Sequence, residues 1–439
     1  MLRSLVISSA TFVALLSVAG TAHAEKVLLK EKDWEVFTDG RAAAFASYVL
    51  GDGAPVAEKM ITLPDGSVVP EVINGGQWTV PTKNDGPTGQ GTVSMTRIRS
   101  GFIGNTLGLG VRNQILPNLK ASAYVQLWAY VESDGRAKGN PNPADVRQGY
   151  AKIEGTWGSF IAGRTRTLFS RGATDINVMY AHRFGVGFPN DIDDKGPTQG
   201  MVGFGVLGSG FGAGLIYGSP VLAGFQLNVG VFDPANLSAG GWSRTHLARL
   251  EGELTFEYAL GTLGKVVAFG NGAHQKIYKN GYCVATPETG PCDETVAGFG
   301  YGGRLELGPV RLGVAGHYGK GLGMSFAFEQ SYAVLDPANN LRASDGYYVQ
   351  SQVVLDKVDL LKFDLFAGWG ITRVFLTDLD KTLIQYSNIK HQMGINGGVV
   401  YHLSPSLHFD LEYFRAEAKW WLGEQQVLHC FSSGMTVNW

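Results

Sequence analysis

Cys283 and Cys292 stand nine positions apart in a polar stretch around 276–294. In an oxidising compartment that spacing reads as a disulfide stapling one loop. No CxxC spacing and no neighbouring histidine pair accompanies them, so they do not read as a metal site. Cys430 is left over as a free, partly buried thiol. Gly203-Phe204-Gly205-Val206-Leu207-Gly208 matches GxGxxG in letters only. It opens no helix, and the nearest following acid, Asp233, is 25 residues beyond it, which argues against a dinucleotide site. The nine histidines include His23 near the N-terminus and His317, His391, His402 and His408 scattered along strand-like runs. None forms an HxxxH pair or lies near a GxSxG elbow. The expectation is no catalytic residue, no metal and no cofactor. An enzyme would need a Ser/His/Asp site assembled from distant strands.

The elements that would position any site are strands. Met1 to Ala24 has one basic residue, Arg3, an apolar core from Leu5 to Ala19, and an exit at Ala22-His23-Ala24. That is the pattern of a cleaved export signal, leaving 25–439 as a single domain. Losing Arg3 moves the formal charge from -2 to about -3, the wrong sign for a nucleic-acid partner. Glycine supplies 61 of 439 residues and aromatics 11%. Mean hydropathy is near zero, which alternating lipid-facing and water-facing residues also produce. Gly196 to Phe232 carries no charge, yet Pro197, Pro220 and glycines at 208, 210, 212 and 214 argue for a hairpin rather than a membrane helix.

About sixteen strand-like runs follow one another with no linker or low-complexity tract. They include 93–115, 118–132, 198–216, 361–376, 406–420 and 427–439. Leu119, Ala121, Ala123, Val125, Leu127, Ala129 and Val131 share one face of the third run, against Lys120, Ser122, Tyr124 and Gln126. Trp128 and Tyr130 interrupt that polar face. In the thirteenth, Leu361, Phe363, Leu365, Ala367, Trp369 and Ile371 oppose Lys362, Asp364, Gly368, Gly370 and Thr372, with Phe366 the exception. A soluble sandwich shows the same alternation. The chain length and the connections tilt the choice to a transmembrane antiparallel β-barrel. Short turns such as Leu116-Pro117-Asn118 and Gly308-Pro309 alternate with long loops at about 51–92, 168–197, 276–294 and 320–345. The run from Leu428 places Trp439, Val437, Met435 and Phe431 on one face. A terminal aromatic there resembles the closing strand of Gram-negative outer-membrane barrels.

Residues 95–171 sharpen the resemblance. Thr96-Arg97-Ile98-Arg99-Ser100-Gly101-Phe102-Ile103-Gly104 resembles the R-x-G-F-x-G strand of bacterial porins. Arg147-Gln148-Gly149-Tyr150-Ala151-Lys152-Ile153, Trp157-Gly158 and Ile161-Ala162-Gly163-Arg164 continue the match. The similarity implies a sixteen-stranded porin of the trimeric general type, all-β, with its third loop folded into the pore. It implies an outer-membrane, multi-pass location in a Gram-negative bacterium, among lipid and lipopolysaccharide, and passage of small hydrophilic solutes and ions.

Matched to that family, Arg99 and Arg147 fall on the basic wall of the constriction, with Arg97 and Arg164 as further candidates. The third loop, about 165–197, would oppose them with Asp175, Asp191, Asp193 and Asp194. It also carries Arg171 and Arg183 and lacks a P-E-F-G-G motif. Arginines facing carboxylates across narrow water set up a transverse field that polar solutes can align with, and apolar ones cannot shed water cheaply. Such transport is passive diffusion. The alternative reading is a substrate-specific channel for sugars or anions, with Tyr124, Trp128 and Tyr130 as stacking surfaces; an adhesin barrel or a barrel enzyme stands behind it. Bare strand faces at Gly208–Gly214 or at Gly298, Gly300 and Gly302 could seat the folded-in loop, or simply curve the wall.

Overall fold

The computed structural model describes residues 25–57, 59–75, 78, 90–101, 104–129, 144–177, 201–235, 242–243, 247–279, 284–285, 292–328, 334–358 and 362–439. Residues 1–24, where the sequence reading expects an export signal, lie outside them.

Sixteen antiparallel strands close into a barrel. In chain order they are β1 (Trp34–Asp52), β2 (Thr92–Arg99 with Asn105–Leu116), β3 (Leu119–Ala129), β4 (Ala144–Gly155), β5 (Gly158–Arg166) and β6 (Phe211–Gly218). There follow β7 (Phe225–Phe232), β8 (Arg249–Ala259), β9 (Gly264–Lys279), β10 (Asp293–Leu307) and β11 (Val310–Lys320). The last are β12 (Ala343–Val354), β13 (Phe363–Val374), β14 (Tyr386–His402), β15 (Leu407–Trp420) and β16 (Gln425–Asn438). Each pairs with its neighbours in sequence, and β16 returns to β1 from Arg41↔Asn438 to Gly51↔Leu428. Closure leaves no barrel edge for lipid to meet. Lys26–Glu31 continues the ladder beyond β16, pairing with the start of β1.

The sequence pattern builds this barrel inside out. On β8, Leu250 and Leu254 point outward and are half exposed, whereas Arg249, Glu251 and Glu253 point inward and are buried. On β16, Phe431, Met435 and Val437 lie outside, and Cys430, Ser432 and Thr436 inside. The face expected to carry Cys430 away from Trp439 is therefore the interior, and the thiol is buried there, 3.3 Å from the Ser432 hydroxyl. On β13 the outlier Phe366 is also inward and buried.

Two strand expectations need correction. The run at 93–115 is one barrel position but two segments, because the chain breaks from the ladder between Arg99 and Asn105, where Gly101 takes a positive φ of 87°. Among the described residues, the run at 198–216 starts as a strand only at Phe211. Met201 to Leu207 is apolar because it packs inside the barrel, with every residue from Met201 to Gly208 buried. Its apolar character mimics a lipid-facing strand without being one.

Candidate functional site

The connection from β5 to β6 turns into the lumen. Its described parts are Thr167–Asn177, including the short helix α1 (Arg171–Asp175), and Met201–Gly210. Both are held by inward side chains of the far wall. The Phe169 amide donates to Glu251 of β8 at 2.8 Å. Arg171 Nε donates to Glu253 of β8 at 2.9 Å. Arg304 of β10 donates to the Asp175 carbonyl at 3.1 Å, and the Tyr348 hydroxyl of β12 donates to the Ala173 carbonyl at 2.7 Å. The Gly205 amide donates to the Thr372 hydroxyl of β13 at 2.8 Å, and its carbonyl lies 3.2 Å from His317 Nδ1 of β11.

The seat beneath Met201–Gly208 is a row of small residues crossing the wall. Gly370 of β13 pairs with Gly394 of β14, which pairs with Ala416 of β15. The Phe204 carbonyl fills the space a side chain at Gly370 would need, and its ring lies 2.9 Å from a Cβ placed at Gly394. The ring meets Phe414 edge-on at a centroid distance of 5.1 Å, and Trp78 from the first loop stands 6.2 Å away. The loop after β11 adds a further layer, with the Gly208 amide donating to the Ser325 carbonyl at 2.8 Å. The glycines singled out from sequence play other parts. Gly208 belongs to the loop itself, and Gly298, Gly300 and Gly302 adjoin Leu322, Asn271, and Ala315 with Phe269. Of these, Phe269 in turn packs on Gly172 of α1.

The opposite wall, β2 to β5, keeps its inward charges partly exposed. The Lys120, Lys152, Glu154, Arg147 and Asp145 side chains retain between 29% and 46% exposure. Glu253 retains 1%. Lys120 lies 3.2 Å from Glu154, and Lys152 pairs with the same carboxylate. The Tyr124 hydroxyl donates to Asp39 at 2.8 Å.

The expected site residues divide. Arg147 occupies a bulge, since Gln126 pairs with Gln148 and Leu127 with Val146, leaving Arg147 between them. Such bulges re-aim a side chain. Its guanidinium lies 4.6 Å over the inward Trp128 ring, with Nε 3.0 Å from Asp145. Arg97 pairs across from the buried Ser47 and shares the inward face with Val93. Arg99 pairs with Phe45 in the same ladder, and its side chain lies outside the described residues. Arg164 points the other way. It pairs with Gly149 and Ala213, alternates with the buried Thr165, and shares the outward face of Ala162, the partner of Leu215.

On the loop, Asp175 is 2.8 Å from Arg166, and Arg171 is committed to Glu253. Burial pulls the Arg171 guanidinium down, but Glu253 more than offsets it, so it stays charged. These loop charges clamp the loop to the wall rather than facing it across water. Arg183, Asp191, Asp193 and Asp194 lie outside the described residues, as does Tyr130. Cys292 is disulfide-bonded; Cys283 lies outside the described residues. The wall partners Glu251, Glu253 and Arg304 escaped the sequence reading. Their signal is legible, because Arg249, Glu251 and Glu253 alternate with Leu250 and Leu254 on one strand.

A closed sixteen-stranded barrel with an inward-folded third loop narrows the choice of families, and the sequence match decides it. The Gram-negative porin family model matches residues 10–419. The chain belongs to the Gram-negative porin family. This porin is an outer-membrane, multi-pass channel for passive diffusion of solutes, in a family and fold of channels rather than enzymes. Among solved structures it is similar to the outer-membrane channel DcaP of Acinetobacter baumannii, with a TM-score of 0.63 and 14% identity over 94% of this chain and 99% of that one. The anion-selective porin from Comamonas acidovorans gives 0.56 and 12%, over 92% and 100%. The trimer form of the outer-membrane protein OmpT of Vibrio cholerae gives 0.51 and 13%, over 92% and 99%. At such identities these likenesses speak for the fold alone. No curated protein matches the sequence significantly.

Proposed function

We propose that this porin is a general or weakly selective diffusion channel for small hydrophilic solutes and ions, with no catalytic step. Its water path follows the inward face of β2 to β5. The observation that carries this reading is the contrast between the two walls. Charges on β3 and β4 remain partly exposed, whereas Arg249, Glu251 and Glu253 at the loop end of β8 are buried, with Glu251 and Glu253 bonded to the third loop. Arg97, Arg99 and Arg147 supply the basic side of the narrowest water. Asp191, Asp193, Asp194 and Arg183 are the remaining candidates for its loop side, because Asp175 and Arg171 are spent on fixing the loop. The cleaved signal at 1–24 and a loop staple from Cys292 to Cys283 complete the mature 25–439 domain.

The assembly we infer is a homotrimer. Arg164 faces outward among Gly149, Ala151, Ala162 and Ala213. An arginine facing lipid costs up to about 2–4 kcal/mol at the bilayer midplane. A neighbouring protomer over this small-residue face removes that cost. Lipid and lipopolysaccharide surround the remaining perimeter.

A sugar-specific channel is the second reading, and the aromatics weigh against it. Tyr124 and Trp128 face inward as a stacking surface would, but each is more than nine-tenths buried, with neighbours on its faces. Planar-bilayer recording tests the two. Conductance steps in threes without solute block support the general channel, and saturable block by one sugar supports the specific one.

A further inference from the structure

Two carboxylates from distant parts of the chain meet at the rim, where the first loop lies against β14, β15 and β16. Val72–Asn74 of that loop runs parallel to the start of β14, with Val72 against Tyr386 and Ile73 against Ser387. Side chains alternate along such a ladder, so Glu71 shares the face of Ile73 and Ser387. The Glu71 amide donates to the Lys59 carbonyl at 2.9 Å, which fixes its backbone. Glu424 comes from the tight turn between β15 and β16. That turn is seated on the same strand, for the Trp421 amide donates to the Asn388 carbonyl at 3.0 Å and the Leu422 amide to the Ser387 hydroxyl at 3.2 Å. The Ser387 hydroxyl donates in turn to Glu424 Oε2. The Glu424 carboxylate thereby stands within hydrogen-bonding reach of the Glu71 carboxyl.

The place where they meet lacks positive charge. Glu71 is 2% exposed, and its Oε1 is buried with no hydrogen-bond partner among the described residues. The neighbouring cation is Lys59, whose Nζ reaches Glu424 Oε1 at 3.4 Å and the Leu422 carbonyl at 3.3 Å. Both contacts are longer than the roughly 2.7–2.9 Å of a strong charge-assisted bond. The Lys59 side chain is also 60% exposed, so it holds the carboxylate loosely. Two carboxylates against one loose ammonium leave negative charge uncompensated, and buried charges are ordinarily paired or bound to a metal.

We propose that Glu71 and Glu424, with the Ser387 hydroxyl, hold a calcium ion that pins the first loop to the barrel rim. The donors are all oxygen, which suits a hard cation rather than zinc or copper. Calcium accepts irregular shells completed by water and main-chain carbonyls, so two carboxylates and a hydroxyl are a sufficient nucleus. Ser387 gives its proton to Glu424 and keeps a lone pair for the ion. The pinned loop carries Trp78, whose amide donates to Gln426 Oε1 at 3.0 Å and whose carbonyl accepts from Gln426 Nε2 at 3.1 Å. Because the Trp78 ring packs on Phe204, calcium at the rim steadies the cover over the third loop. The proposal does not depend on which solutes pass.

Amide exchange at Val72, whose bond to Gln385 forms only when the loop is docked, tests it in the full mature protein in detergent at neutral pH. After stripping with EDTA, titration with calcium chloride is expected to give one bound ion per chain. With free calcium at about 100 times the dissociation constant, exchange at Val72 is expected to slow about 100-fold. Glu71→Gln and Glu424→Gln are each expected to lose that slowing, while the β8 amides stay as protected as in the wild type, which shows an intact barrel. No slowing in the wild type overturns the proposal. So does an equal slowing by sodium chloride at matched ionic strength, because screening alone would then dock the loop. Full calcium slowing in both variants overturns it as well, because the ion would then bind elsewhere.

Discussion

Arg171 Nε donates to Glu253 Oε2 at 2.9 Å, joining the third loop to the eighth strand inside the barrel. Both groups are nearly removed from water, with 11% and 1% of their side chains exposed. Removing one partner from a buried pair costs about 3–5 kcal/mol, because the other is left uncompensated. Glu253→Ala should therefore loosen the loop, giving noisier single-channel currents and a lower melting temperature in detergent. Unchanged noise and melting would mean that the pair does not hold the loop.

The glycine seat makes a separate prediction. A methyl group at Gly370 collides with the Phe204 carbonyl, and at Gly394 it crowds the Phe204 ring. Overpacking of this kind costs typically about 1–3 kcal/mol. Gly370→Ala should displace Met201–Gly208 from the wall and change single-channel conductance, while Gly397→Ala, where an added Cβ has 3.3 Å to its nearest neighbour, should not. Equal conductance for both variants and the wild type would remove the seat.

The closing ladder ends on a reciprocal pair of bonds. The Gly40 amide donates to the Trp439 carbonyl at 2.9 Å, and the Trp439 amide returns a bond to the Gly40 carbonyl at 3.1 Å. The Trp439 indole occupies the space a Gly40 side chain would need. Gly40→Val should push the indole away and lower the thermal stability of the barrel by about 1–3 kcal/mol. Heat-dependent gel mobility reads the result, and a wild-type transition would contradict it.

Outside the membrane, the first loop carries a pH dependence. Burial, reinforced by the nearby Glu424 carboxylate, raises Glu71 above the ordinary carboxyl range. A raised value in the docked loop means that docking favours the protonated form. The stabilisation is fully present below the free carboxyl value of about 4.3 and is lost as pH rises through the raised one. The Val72 amide, which donates to the Gln385 carbonyl at 2.7 Å, reports docking directly. Its hydrogen exchange, corrected for intrinsic rates, should be slower at about pH 4 than at about pH 7, and Glu71→Gln should abolish the difference.

The alternation of side chains made the barrel legible, because a strand with lipid on one side and polar contacts on the other must repeat every two residues. Runs such as Leu407 to Tyr413 show it plainly. The seat was hidden because Phe204, Gly370 and Gly394 are far apart in sequence and meet only when the barrel closes. Arg164 was placed by family resemblance, and strand alternation could not correct it, because Phe160, Ala162 and Arg164 stand against Ile161, Gly163 and Thr165 and neither set is distinctly apolar. Arg147 was singled out by the family resemblance, but the bulge that aims its side chain leaves no mark in the sequence pattern.

The side of the barrel that carries the water is tested most directly by reversal potential across a planar bilayer under a salt gradient. Arg97→Gln with Arg147→Gln should shift ion preference towards cations, because both residues belong to the wall assigned to the water path. Arg164→Gln should leave the potential where it is, because that side chain faces outward. A shift from Arg164→Gln, or none from the Arg97 and Arg147 pair, would contradict the account.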